Sequence, residues 1–338
     1  MYFKMNSNLM FFYFILFFST LISISSNSWI GCWIGLEINL LSFIPIISSS
    51  NNLMLSESSM KYFLTQSIAS INFLFSILMM LISLKMFFYS SFLTIMINSS
   101  LAMKMGAAPF HFWFPKVMEG LSWMNCFILM TWQKISPMII LSYYFNLNFL
   151  FFIMISSCII SSLMGLNQLS LRKILAFSSI NHLSWMISAI IISENLWNFY
   201  FLIYFMILIL MSMMFYLFNI SYIYQLFSNN MNKMIKILIF LNLLSLGGLP
   251  PFLGFLPKWL VINFLIQNNM IFITFIFIMT ALIILFFYIR ISYSAFMFNY
   301  MKFKWMKLNL KNNLIKFINF YSFILLISLI FSTLFFSF

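Results

Sequence analysis

Three lysines, Lys104, Lys134 and Lys258, stand inside stretches that are otherwise almost purely apolar. The chain has only 4 acidic residues, and one of them, Glu37, is likewise embedded, in WIGCWIGLEINLLSF. A charged side chain near a bilayer centre costs about 2.5–3.5 kcal/mol on insertion scales, so it normally has a partner and a task. Burial disfavours the charged form of a carboxyl and of an ammonium alike, whereas an acid–base pair restores both charges. Lysines in that setting lie near the switching point between charged and neutral. A row of them can hand on a proton, and making or breaking one ion pair changes the next group's hold on it. The chemistry that fits is a path for protons or small cations through a water-excluding wall. The competing reading is static: one buried Lys–Glu pair, with the other amines snorkelling to an interface. Three lysines and an acid at similar depth, beside helix breaks, favour the path.

The remaining polar residues narrow the chemistry further. His182, in RKILAFSSINHLSWM, follows Ser178 and Ser179 by about one turn and is placed to bridge a water chain between Lys134 and Lys258; simple packing is its alternative. His111 reads as structural, and haem is poorly supported, since bis-histidine ligation of two haems needs about four histidines on facing helices and the chain has 2. Cys32, Cys126 and Cys158 form no CxxC or metal spacing and read as buried, inert thiols. Glu57, Glu119 and Glu194 sit near span ends, where water can reach them. There is no glycine-rich phosphate loop, nucleotide fingerprint, metal cluster or nucleophile–base triad, so no cofactor is expected in this chain.

The elements that must position these groups are membrane spans. Of 338 residues, 64% are hydrophobic and 6% charged, with a mean hydropathy of +1.06. A soluble domain carries about 25% charged residues. Runs 135–171, 195–232 and 259–289 contain no Asp, Glu, Lys or Arg. Each exceeds the roughly 20 residues that a spanning helix needs. The short alternating segments of a β-barrel are missing. An all-α polytopic membrane protein follows, with about eleven spans near 9–25, 29–48, 60–84, 90–117, 122–143, 149–166, 172–192, 197–219, 235–266, 270–291 and 318–337. No Arg-rich presequence is expected ahead of the first apolar run. The excess of Phe (47) and Met (29), with no Asp, points to an A/T-rich genome and suits a mitochondrial code.

With an odd span count, 13 of the 17 basic residues fall on one side, Lys85 alone on the other, and the three embedded lysines between. The positive-inside rule then puts the N-terminus on the negative side, cytoplasm or matrix, and the C-terminus opposite. The basic, aromatic segment around 302–316 reads as an interfacial helix on anionic lipid headgroups, with cardiolipin the expected lipid.

Spans 90–117 and 235–266 are over-long and contain near-identical octapeptides, PFHFWFPK from Pro109 to Lys116 and PFLGFLPK from Pro251 to Lys258. Proline removes an amide donor and clashes with the preceding turn. Pro109, Pro250 and Pro251 are therefore expected to break the two helices, beside protein or a water-filled cavity. The copies lie five spans apart, so they cross the membrane in opposite directions, the signature of an inverted repeat. The organisation expected is a first half-channel over 1–148, an inverted second over 149–292, and a basic segment with a last span over 293–338.

At WIGLEINLLSF, KMGAAPFHFWFP, TWQKISP, LRKILAFSSINHLSWM and GGLPPFLGFLPKW, the chain resembles the antiporter-like membrane subunits of NADH:ubiquinone oxidoreductase, respiratory complex I, as encoded by animal mitochondria. The resemblance runs from about residue 29 to 260. It implies two inverted five-helix repeats and proton pumping coupled to redox steps in other subunits, which would hold the flavin and iron–sulfur clusters. It implies partners among the complex I membrane subunits, further antiporter-like ones included, and no nucleic acid. It places the chain in the mitochondrial inner membrane, N-terminus in the matrix and C-terminus in the intermembrane space. By the same resemblance Glu37 and Lys104 match the acid–lysine pair of the first half-channel. Lys134 matches the central bridging lysine, and Lys258 the lysine of the second broken helix. Lys116 departs from the family pattern at that site. A stand-alone cation/proton antiporter on the same fold is the second reading.

Overall fold

A computed structural model of the chain describes residues 7–49, 52–83, 90–228 and 233–297. The described residues are helical almost throughout: α1 (Ser7–Ser25), α2 (Trp29–Ile47), α3 (Leu53–Ser83), α4 (Ser90–Met105), α5 (Trp113–Gly120), α6 (Trp123–Met130), α7 (Trp132–Ser142), α8 (Leu147–Gly165), α9 (Leu171–Ile192), α10 (Glu194–Phe218), α11 (Ile223–Ser228), α12 (Lys233–Gly247), α13 (Phe255–Gln267) and α14 (Ile271–Met297). Among the described residues, eight stretches are long and apolar enough to cross a membrane, with α6 and α7 together making one of them. The two interrupted spans are α4 with α5 and α12 with α13. The expected last span at 318–337 and the basic segment at 302–316 lie outside the described residues.

Span ends follow local chemistry. Ser28 caps α2 by accepting from the Gly31 amide at 3.1 Å, and Ser193 caps α10 by accepting from Leu196. Glu194 then stands in the first turn of α10, where a negative charge suits the helix dipole. Two features were not legible in hydropathy. The expected span 122–143 is interrupted at Thr131, whose hydroxyl turns back to the Phe127 carbonyl at 2.7 Å. The short helix α11 lies between spans, held by a bridge from Ser170 to Tyr222.

The chain divides into two compact units, Met1–Ser157 and Cys158–Phe338, with the division inside α8. In the first, α2 lies against α1 and α3, and α4 against α3 and α7. Gly35 lets α1 come so close that a Cβ there would stand 2.7 Å from the backbone of Ser23. In the second, α9 packs with α10 and α13, and α12 with α10 and α14. Helix α9 is enclosed on all sides: every residue from Ile174 to Ile190 is buried. Arg290 donates to the Leu166 carbonyl, so it shares one end of this unit with the segment that leads to Arg172 and Lys173.

The spacing of the repeat is preserved. Each break opens on a glycine with positive φ, Gly106 at 75° and Gly248 at 85°, and these stand 142 positions apart (248 minus 106). The same offset carries Met105 to Gly247 and Trp113 to Phe255, the last and first residues of the flanking helices. Glycine adopts such a turn without the penalty a side chain incurs. The helices thus end at the glycine turns, ahead of Pro109, Pro250 and Pro251, and the prolines keep the helix from resuming.

Candidate functional site

In the first unit the break leaves carbonyls that the helix can no longer satisfy, and each finds a donor. The Ala102 carbonyl takes the Ala107 amide at 3.0 Å, and Met103 takes the indole of Trp113 at 3.1 Å. Ala108 takes the hydroxyl of Ser156 at 3.0 Å, and Lys104 takes the side-chain amide of Gln66 at 3.2 Å. These four carbonyls are therefore satisfied by neutral groups. The Lys104 ammonium remains for other work.

That side chain is buried and lines a cavity of about 20 Å³ with Asn39, Tyr62, Gln66, Gln133, Ser136 and Pro137. A space of about 10–15 Å³ holds one water when two to four polar partners surround it, and this cavity meets both conditions. Its wall is set by a hydrogen bond from Gln133 to Asn39, 2.9 Å, which ties α7 to α2. Pro137 also leaves the Gln133 carbonyl without its usual amide partner. Glu37 is the carboxylate whose charge reaches Lys104 and Tyr62. Its Oε2 is buried without a hydrogen-bond partner, and among the described residues no ion pair joins it to Lys104.

Lys134, mid-way along the same unit, is 1% exposed. Its ammonium lies over the ring of Phe114, 5.3 Å from the centroid. The same ring packs on the first break, since a Cβ on Gly106 would stand 3.0 Å from it. Phe114 therefore connects the break turn to the second lysine through cation–π attraction. His111, in the break, is buried beside Phe112, with ring centroids 4.3 Å apart. Lys116 is exposed and belongs to neither cavity.

In the second unit Lys258 is buried, and its ammonium donates to the carbonyls of Gly247 at 2.8 Å and Leu246 at 3.4 Å. Leu246 is the repeat counterpart of Lys104 (104 plus 142). One carbonyl thus takes the neutral amide of Gln66 in the first repeat and the ammonium of Lys258 in the second. Beside it, His182, Tyr200, Tyr204, Ser245 and Leu246 line a cavity of about 10 Å³, at the threshold for one water. His182 Nδ1 is 2.8 Å from the Tyr200 hydroxyl, and its ring lies against Tyr204 with centroids 4.8 Å apart. Cys158 shares a 2.7 Å hydrogen bond with Ser184 and is a buried, packed thiol, as are Cys32 and Cys126.

The structure thus gathers Glu37, Lys104 and the flanks of Lys134 in the first unit, and His182 and Lys258 in the second. It adds residues that spacing alone did not single out: Gln66, Tyr62, Gln133 and Asn39 around Lys104, Phe114 under Lys134, and Tyr200 beside His182. The one signal available was that amides inside apolar spans are costly and need partners.

Two broken-helix repeats, each with a buried ammonium at its break, define an antiporter-like class of membrane protein. The family model described as NADH:quinone oxidoreductase/Mrp antiporter, transmembrane, matches residues 26–284. The chain is 56% identical over 274 residues to NADH-ubiquinone oxidoreductase chain 2 of Anopheles gambiae, covering 80% of each. It is 51% identical over 279 residues to the protein of that name from Aedes aegypti, again covering 80% of each. A chain of the respiratory complex I of Thermus thermophilus with bound aureothin shares the fold, with a TM-score of 0.85 at 18% identity over 96% of this chain and 78% of that one. The chain therefore belongs to the NADH:quinone oxidoreductase/Mrp antiporter membrane family.

Proposed function

We propose that this chain is a proton-translocating membrane subunit of NADH:ubiquinone oxidoreductase, multi-pass in the mitochondrial inner membrane. Its relatives bear the name of that enzyme's chain 2, which supports the enzyme assignment. The observation that carries the mechanism is the Lys104 cavity: a buried amine, a carboxylate in electrostatic reach, and room for one water between polar walls. Glu37 sets the charge that Lys104 answers to; Lys134 and Lys258 are further proton holders, and His182 a relay in the second unit. The chain carries no redox group in this reading. Flavin and iron–sulfur clusters belong to partner subunits, and further antiporter-like subunits adjoin it in the membrane. The N-terminus faces the matrix and the C-terminus the intermembrane space. The basic segment 302–316 meets anionic lipid, with cardiolipin the expected species.

The test is coupled transport in the assembled complex, reconstituted in proteoliposomes. Lys104→Ala and Glu37→Gln should each lower protons moved per NADH oxidised. Unchanged pumping in both variants would remove the pair from the mechanism. Exchange of Na⁺ or K⁺ for H⁺ by the purified chain alone would favour the stand-alone antiporter instead.

A further inference from the structure

The offset of 142 that relates the two breaks also relates the helices ahead of them. INLLS from Ile38 to Ser42 on α2 returns as INHLS from Ile180 to Ser184 on α9. Tyr62 and Phe63 on α3 return as Tyr204 and Phe205 on α10. Helices α2 and α9 begin at equivalent residues, Trp29 and Leu171, each after an N-cap serine. One offset at both ends of the repeat leaves no net insertion between them, so its inner residues can be compared position by position.

The Lys104 cavity and the His182 cavity share three equivalent wall positions: Leu40 and His182, Tyr62 and Tyr204, Lys104 and Leu246. Tyrosine is the side chain kept at its place in both. The ionisable group changes walls. In the first unit it is an amine on the broken helix α4, with aliphatic Leu40 at the α2 position; in the second it is an imidazole on the continuous helix α9, with aliphatic Leu246 at the α12 position. The surroundings differ to match. An ammonium in an apolar wall needs a counter-charge, and α2 supplies Glu37; an imidazole can rest uncharged, and the counterpart of Glu37 is Ser179. Tyr200, which bonds His182 Nδ1, has Ser58 as its counterpart and so belongs to the second unit alone.

Both tyrosines are buried, and their rings are held. Tyr62 packs on Phe43 and Trp113, with centroids 5.2 and 6.0 Å apart, and Tyr204 lies against His182 at 4.8 Å. Cavities of about 20 and 10 Å³ are the size of one water, which brings their wall groups within its reach. A phenolic hydroxyl both donates and accepts, so by turning its O–H it serves a protonated nitrogen and a neutral one alike. We infer that the two cavities are one site built twice, with Tyr62 and Tyr204 as equivalent positioning residues and the proton holder, Lys104 or His182, on one wall or the other. That the holders carry protons rests on the translocation reading above; the equivalence rests on register and cavity walls.

The test uses the assembled complex in proteoliposomes, with its amount read on native gels and protons moved per NADH oxidised as the measure. Tyr62→Phe and Tyr204→Phe keep the rings and should assemble normally. Tyr62→Phe should lose most of the ratio that Lys104→Leu loses, and Tyr204→Phe most of what His182→Leu loses. Leu40→His added to Lys104→Leu gives the first unit the walls of the second and should recover part of the lost ratio. Adding Tyr62→Phe to that pair should abolish the recovery, which a tyrosine serving packing alone would not govern. If the pair assembles poorly, His182→Leu with Leu246→Lys makes the reciprocal exchange in the second unit. A full ratio in both phenylalanine variants, beside a loss in Lys104→Leu, would overturn the positioning role and leave the translocation reading standing. Absence of recovery in both exchanges would overturn the equivalence of the sites. A full ratio in Lys104→Leu would bring down both readings together.

Discussion

The Lys258 ammonium lies 2.8 Å from the Gly247 carbonyl, on the far side of a seven-residue break, and so ties the start of α13 back to the end of α12. The C-terminal end of a helix carries partial negative charge, so the partner of this lysine is a helix terminus. The second carbonyl it reaches, that of Leu246, is the counterpart of the Lys104 carbonyl, which takes a neutral amide from α3.

This contrast separates holding the break from carrying a proton. Lys258→Met removes the donor from both carbonyls and should destabilise the protein by about 1–3 kcal/mol, read as a lower Tm of the purified complex. Lys258→Gln restores a neutral donor, as Gln66 supplies in the first unit, and should recover Tm without recovering pumping. Full pumping by Lys258→Gln would show that the charge serves structure alone.

At Gly254 an added Cβ would stand 1.8 Å from the Ser245 carbonyl oxygen, so α12 and the break cannot both keep their places. Gly254→Ala should sharply reduce the amount of assembled complex in native gels. Gly165→Ala, whose Cβ would come no closer than 3.3 Å, to the Phe287 ring edge, should assemble at close to normal levels. Equal yields would show that the break yields more easily than its packing indicates.

Phe114 has Leu256 as its repeat counterpart (114 plus 142), so leucine is compatible with the octapeptide. Phe114→Leu should keep the helix and lose the aromatic face under Lys134, worth about 0.5–2 kcal/mol. Pumping should fall while Phe114→Tyr retains it. Identical proton-to-electron ratios for the two variants would dismiss the ring as a partner of the amine.

His182 and Tyr200 are bonded to each other at 2.8 Å, so their removals should not add. A thermal-stability cycle over His182→Leu, Tyr200→Phe and the double variant should give a coupling of about 0.5–3 kcal/mol. Additive losses would mean that the two groups act independently.

Hydropathy and charge located most of the spans, because a helix in lipid must be apolar along about 20 residues whatever it packs against. The octapeptide match located both breaks, although the stop itself comes from Gly106 and Gly248, where backbone sign matters more than ring closure. Glu37, Lys104, Lys134 and Lys258 stood out because each is costly where it sits. Their partners did not. Gln66 reaches Lys104 across 38 positions and Gln133 reaches Asn39 across 94, distances at which spacing carries no signal. The interruption at Thr131 was hidden for a different reason: a hydroxyl turned back on its own helix looks no different in sequence from one facing a neighbour.

From Ile174 to Ile190 helix α9 is buried within the protein, and there it presents Asn181, His182 and four buried serines to its surroundings. During synthesis those groups must enter the bilayer before the helices that later sheath them, α10 and α13, have been made. The nascent segment is therefore least comfortable in lipid when it stands alone, and each later arrival draws it inward. Biogenesis of this half runs as a wrapping process, in which the order of the gene is also the order of enclosure.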